Sequence, residues 1–271
     1  DNAIPDQLEV WQELGRLAMR MERPDLAKRM VDEVVRRFPN EPRVALLNAS
    51  QLAQAGKQDE AMALLRGVEP KSRQDPDLRN ALAIAYDTMG DPRAAARVLA
   101  VGPQDVQTWG MRASLLAKQK DDAALLLLYK ELSAKAAKPD PAQRLLLGKI
   151  AEYLKRPAEA VDWYHSVPGG EELAEARLRA ANAQYDAGRP DKAFAEVHAI
   201  QSDATVDDEA RRDAYLLEAE LRQRGNDLPG ELDALARGLA AYPDENALLY
   251  ARALAWERRD DVPRAEADLR K

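Results

Sequence analysis

The side chains best suited to chemistry near neutral pH are His165 and His198, the chain's two histidines. They lie 33 residues apart and take the same place in two successive helical patterns. Two imidazoles could share a metal ion or sense pH. A closed metal site wants about four ligands, and the chain has no cysteine and no third histidine. The spacing therefore predicts two histidines on exposed helix surfaces. The acidic pairs Asp121-Asp122, Asp207-Asp208 and Asp260-Asp261 are the other candidates. Carboxylates that trade protons need a pocket. These pairs stand at turns and links, where an aspartate caps a helix. No phosphate loop, zinc-protease helix, nucleophile elbow or calcium loop is present. We expect no enzyme, no cofactor and no bound metal.

The elements that carry these residues repeat. Residues 11–39 read WQELGRLAMRMERPDLAKRMVDEVVRRFP. Large and small side chains follow at helical spacing from Trp11 through Gly15, Ala18, Ala27 and Val31 to Val34, and Pro39 closes the run. The pattern returns with Ala61 and Ala95, each 34 residues after its predecessor from Ala27. Gly148 and Ala160, then Ala181 and Ala193, continue it. We divide the chain into eight units: 8–41, 42–75, 76–105, 106–140, 141–173, 174–211, 212–245 and an incomplete 246–271, with a polar link over 201–208. Leu125 to Tyr129 reads as the buried stripe of a helix.

This spacing resembles the tetratricopeptide repeat family, whose period is 34 residues. The resemblance implies an all-α fold, a right-handed superhelical solenoid of helix-turn-helix units forming one domain over 1–271. In such a stack the small residues let helix axes approach to about 8–10 Å. The large ones, here Trp11, Tyr86, Trp109, Tyr129, Tyr164 and Trp256, fill the gaps between units.

Composition agrees. The chain of 271 residues is 46% hydrophobic and 32% charged, with only 2 Phe, a mixture that favours helix. The 40 basic and 47 acidic residues are interspersed without a sustained basic stripe, so we expect no nucleic-acid partner. No apolar run approaches the roughly 20 residues of a membrane span. The first residues are Asp1-Asn2, with no signal peptide, and the last unit stops without a polar cap. We therefore expect a processed or trimmed chain, with further residues after Lys271.

In the resembled family the first helix of each unit, helix A, lines a ligand groove. Carried onto this sequence, the groove positions include Arg16, Arg20, Asn80, Asp87, Lys149, Tyr153, Asn182, Tyr185 and Arg258, together with Glu9, Gln12 and Met19. The clamp by which some relatives hold a carboxylate tail needs Lys and Asn four residues apart. Asn182 is preceded there by Leu178, so the clamp is absent. Reversing the charge of Lys149 is expected to weaken partner binding and leave folding intact.

The segment Leu248 to Lys271, LLYARALAWERRDDVPRAEADLRK, resembles part of a group of bacterial tetratricopeptide lipoproteins. That group includes an outer-membrane adaptor that binds and activates a periplasmic carboxyl-terminal processing protease. Their complex degrades peptidoglycan cross-link hydrolases. The resemblance implies a protein or peptide partner, such as a periplasmic serine protease and its substrates. It also implies a periplasmic location and a membrane contact only through a lipid anchor upstream of Asp1. Two alternatives stay open: a module of an envelope polysaccharide synthesis or export assembly, and a cytoplasmic location.

Overall fold

The computed structural model describes residues 8–102, 104–135 and 140–271. The stretch 136–139, which closes the fourth expected unit, lies outside the described residues, as do the side chains of Glu9, Gln12, Gly15 and Met19. Among the described residues there are sixteen α-helices and no strand. They are α1 (Leu8–Arg20), α2 (Pro24–Arg37), α3 (Pro42–Gln54), α4 (Gln58–Ser72), α5 (Pro76–Thr88), α6 (Pro92–Leu99), α7 (Val106–Lys118) and α8 (Asp122–Lys135). Then come α9 (Pro141–Tyr153), α10 (Pro157–His165), α11 (Glu172–Asp186), α12 (Pro190–Ser202), α13 (Asp208–Arg224), α14 (Leu228–Ala241), α15 (Asn246–Glu257) and α16 (Val262–Leu269). None of them is long and apolar enough to cross a membrane.

Local chemistry sets where these helices begin. Proline opens α3, α5, α6, α9, α10 and α12, where its missing N–H costs nothing. Aspartates accept a backbone N–H at many starts: Asp75 from Leu78, Asp91 from Ala94, Asp105 from Thr108, Asp121 from Ala124, Asp140 from Gln143 and Asp227 from Gly230. Of the acidic pairs, Asp207 caps α13 and Asp261 caps α16, while Asp260 turns the chain with positive φ. Each odd-numbered helix turns into the next through a residue in the left-handed region. Gly56, Gly90 and Gly188 hold three of these turns. Glu22, Lys120, Lys155, Asn226 and Asp260 hold the other five, at φ between 55° and 59°.

The chain forms two compact units, 1–124 and 125–271. In the first, α1 packs on α2, α3 on α4 and α5 on α6, and α3 also meets α5. Its main core joins Ala49, Ala61, Leu65, Leu82, Ala83, Tyr86, Ala95 and Leu99. Tyr86 donates its hydroxyl to Glu69 at 2.7 Å, which supplies the one polar atom of a buried ring with an acceptor. Arg79 is fully buried, with Nη2 3.4 Å from the Thr108 hydroxyl. A guanidinium in mid-helix reads as surface in the sequence, and only the packing of α5 reveals it as interior.

In the second unit α9 packs on α10, α11 on α12, α13 on α14 and α15 on α16, and each odd helix from α9 to α15 meets the next odd one. Ala160, Ala181, Ala193, Val197, Ala214, Leu221, Leu235 and Leu248 are fully buried. Gly148 marks a close approach between α9 and α10. A Cβ there would stand 2.3 Å from Cε1 of the buried Tyr164 ring. Leu125, Leu128, Tyr129 and Leu132 are buried as the stripe of α8, whereas Leu127 faces solvent at 68% exposure.

Some boundaries differ from the expected ones. Helix α11 starts at Glu172 and α13 at Asp208, ahead of 174 and 212. Asp207 accepts the Ala210 N–H at 2.8 Å and starts its helix a turn early, so the expected link of 201–208 shrinks to 203–207. At the blurred repeat position near Gly230, Glu231 is buried and ion-paired with Arg258.

Candidate partner-binding face

The odd-numbered helices are the A helices of the repeat, and their exposed side chains form the candidate face. In the second unit most charged residues on this face pair with one another. Lys149 on α9 reaches Glu175 on α11 at 2.8 Å. Arg179 on α11 reaches Glu152 on α9 at 3.0 Å and Glu175 at 2.7 Å. Arg224 on α13 donates to Asn182 at 2.8 Å and pairs with Asp186, both on α11. Its guanidinium carbon also stands 4.8 Å from the Tyr185 ring centroid, while Tyr185 meets Phe194 edge-on. Partial burial pushes the Glu175 carboxyl up, but the hydrogen bonds from Lys149 and Arg179 outweigh it and hold it below the usual range.

The nine residues expected to line a groove thus have several fates. Lys149, Asn182 and Tyr185 come together on α9 and α11, but as links between neighbouring helices. Tyr153 remains exposed at 47%. Arg258 is tied to Glu231 on α14. In the first unit Arg16 and Arg20 share Glu13, and Asp87 pairs with Lys118 at 2.9 Å. Asn80 is half-buried, and its Oδ1 has no hydrogen-bond partner among the described residues. Folding therefore has a stake in Lys149. A glutamate there would face Glu175, so a charge reversal should leave the chain folded with a modest loss of stability, about 0–1 kcal/mol for half-exposed pairs.

One stretch of the face stays open. Between α11 and α13 lies a groove of about 320 Å³ lined by Glu175, Leu178, Arg179, Asn182, Asp213, Leu216, Leu217 and Glu220. Three leucines, one cation and four polar or acidic side chains share its lining. Of its lining, Asn182 was among the expected groove residues and Leu178 stood at the clamp position before it. The signal was the spacing of Asp213, Leu216, Leu217 and Glu220, a stripe with apolar members along the first helix of the seventh unit.

Both histidines lie on exposed helix surfaces, as expected, and each has a carboxylate beside it. Each is about half exposed, yet each Nε2 lies 3.0 Å from a glutamate, Glu196 for His165 and Glu218 for His198. Glu218 is buried to 1% and also accepts from Gln201 at 2.9 Å and from Arg237 through both oxygens at 2.8 Å. Burial raises its pKa and these partners lower it further than burial raises it. They line a second cavity of about 460 Å³ with Ser202, Tyr215, Arg222 and Asp233. Its carboxylate is already saturated, so the arrangement braces α12, α13 and α14. Among the described residues no group of three or more His, Cys, Asp or Glu is arranged to hold a metal ion.

Comparison with known proteins bears on the class. Residues 13–76 match the family model described as Tetratricopeptide repeat. Over 124 residues, 46% of this chain, the sequence is 33% identical to the TPR repeat-containing protein PA4667 of Pseudomonas aeruginosa. That match spans only 20% of the length of the relative. The fold is similar to the crystal structure of a tetratricopeptide repeat protein from Parabacteroides merdae, with TM-score 0.54 and 12% identity over 92% of this chain and 98% of that one. The chain is built on the tetratricopeptide repeat fold, a class whose members generally act as scaffolds for protein–protein contact.

Proposed function

We propose that this chain is a non-enzymatic scaffold whose A-helix face holds a protein or peptide partner. One observation carries the reading: apolar side chains stand in water on that face. Tyr153 on α9 is 47% exposed, and Tyr250 and Leu254 on α15 are 59% and 37% exposed, amid charges that already pair with each other. Aromatic side chains of this kind are the usual anchors of protein interfaces.

The more specific reading is an adaptor that recruits and activates a periplasmic processing protease toward cell-wall hydrolases, held at the outer membrane by a lipid anchor. What supports it is the likeness of Leu248 to Lys271 to the lipoprotein group. The test is an affinity capture with this chain from a Gram-negative envelope extract, read by mass spectrometry, beside a Tyr153→Asp/Tyr250→Asp variant. A serine protease and hydrolases that are captured by the parent and lost with the variant are the expected outcome. Enrichment of polysaccharide-export components, or capture that ignores the variant, overturns it.

A further inference from the structure

We propose that the groove between α11 and α13 binds an extended partner segment carrying two basic side chains three residues apart with apolar side chains between them. This rests on the reading of the A-helix face as the partner-binding surface, and it names the chemistry that face selects.

The argument starts from which charges remain uncommitted. Every cation bordering the groove is spoken for. Arg179 serves Glu152 and Glu175, Arg212 serves Glu245, and Arg224 serves Asp186 and Asn182. Asp213 and Glu220 are both exposed, and neither has an ion pair among the described residues. The groove is therefore acidic where it is open. The wall takes part of the water from Asp213, the Glu209 carboxylate adds like charge, and together they push its carboxyl up in spite of Arg212. An incoming cation relieves that cost.

Spacing then fixes the pattern. Asp213 and Glu220 are seven residues apart on α13, about 10 Å along the helix axis. Leu216 and Leu217 lie between them, and Leu178 faces them from α11. Gly188 and Asn226, the left-handed turn residues that follow the two helices, set an offset of 38 residues between them. The same offset places Glu175 beside Asp213 and Asn182 beside Glu220. Both ends of the groove thus carry polar acceptors, and between them lie the three leucines and Arg179, whose guanidinium is held by Glu152 and Glu175. An extended chain in the polyproline II form advances about 3.1 Å per residue and turns once every three, so side chains three residues apart share a face about 9 Å apart. The segment that fits reads basic, apolar, apolar, basic. A volume of about 320 Å³ holds a few side chains and not a folded surface.

The test is fluorescence anisotropy on the full chain with a labelled peptide Gly-Ser-Arg-Leu-Leu-Arg-Ser-Gly. Two control peptides carry Glu for both Arg, or Ser for both Leu. The parent chain should bind the Arg-Leu-Leu-Arg peptide at least about tenfold tighter than either control. The Asp213→Lys/Glu220→Lys variant, shown to be folded by circular dichroism and an unchanged melt, should invert the preference toward the glutamate peptide, because like charges across an interface repel. Equal binding of all three peptides, or no inversion, overturns the proposal. So does competition by spermidine at the same concentrations as the peptide, which would make the groove a site for free polyamines. The envelope capture separates this proposal from the reading beneath it. Partners kept by the Asp213→Lys/Glu220→Lys variant but lost with Tyr153→Asp/Tyr250→Asp sink the groove alone. Partners kept by both variants sink the two readings together.

Discussion

Gly67 and Gly148 both sit inside helices, and alanine should act oppositely at the two. Alanine is favoured over glycine in a helix by about 1 kcal/mol. At Gly67 on α4 an added Cβ meets nothing within 4 Å, so that preference acts alone. Gly67→Ala should raise the unfolding free energy by up to about 1 kcal/mol. At Gly148 the Cβ would stand 2.3 to 2.7 Å from three atoms of the Tyr164 ring. That ring is buried and cannot swing away, and overpacking of this kind costs about 1–3 kcal/mol. Gly148→Ala should therefore destabilise, and adding Tyr164→Leu should recover part of the loss. Urea melts of the three variants check all three signs. The turn residues give a further case. Lys155 holds φ 58° where three sister turns use glycine. Lys155→Gly removes a left-handed strain, loses some chain entropy, and should stabilise by under about 1 kcal/mol; a lower melting temperature would refute this.

At the scale of elements, the joint between α12 and α13 is an acid-sensitive point. Asp203 accepts from the Thr205 hydroxyl at 2.6 Å and from Arg177 at 2.7 Å. The Thr205 contact, then the Arg177 one, lowers its carboxyl from 3.8 to about 2. A carboxyl lowered in the folded state adds stability above its unfolded pKa and loses it as pH falls through the folded one. The contribution should be intact at pH 5 and should fade between about pH 4 and 2. Asp203→Asn should flatten that part of the stability profile, seen in urea melts at stepped pH. The hairpins themselves were legible in the sequence. Ala61, Ala95 and Ala160 recur at the spacing of a close helix contact, and the expected unit starts at 42, 76 and 141 fall on the prolines that open α3, α5 and α9. The links between helices were not legible. Periodicity tells which side of a helix faces out, but not the sliding offset between two helices. Whether Lys149 meets a ligand or Glu175 depends on that offset. The same lack hid Asp213 and Glu220 as the open charges, and it hid the contact of the exposed His198 with the buried Glu218.

For the whole molecule, the pattern of contacts predicts how damage spreads. Within each compact unit a helix touches its hairpin partner and the neighbouring hairpins and little else. Stability in such arrays is approximately a sum of local and nearest-neighbour terms. Gly148→Ala should then lower amide-exchange protection in α9 to α12 and leave α3 to α6 unchanged. A uniform loss along the chain would mean a single cooperative fold instead. The rungs between A helices carry a mechanical consequence. Lys149–Glu175, Arg179–Glu152 and Arg224–Asp186 are half in water, whereas the alanines and leucines behind them are not. Raising salt from about 0.15 M to 1 M shortens the screening length from about 8 to 3 Å. It would slacken the rungs and spare the core. The stack of α9 to α15 would then behave as a spring whose stiffness is set by ionic strength while its melting point barely moves.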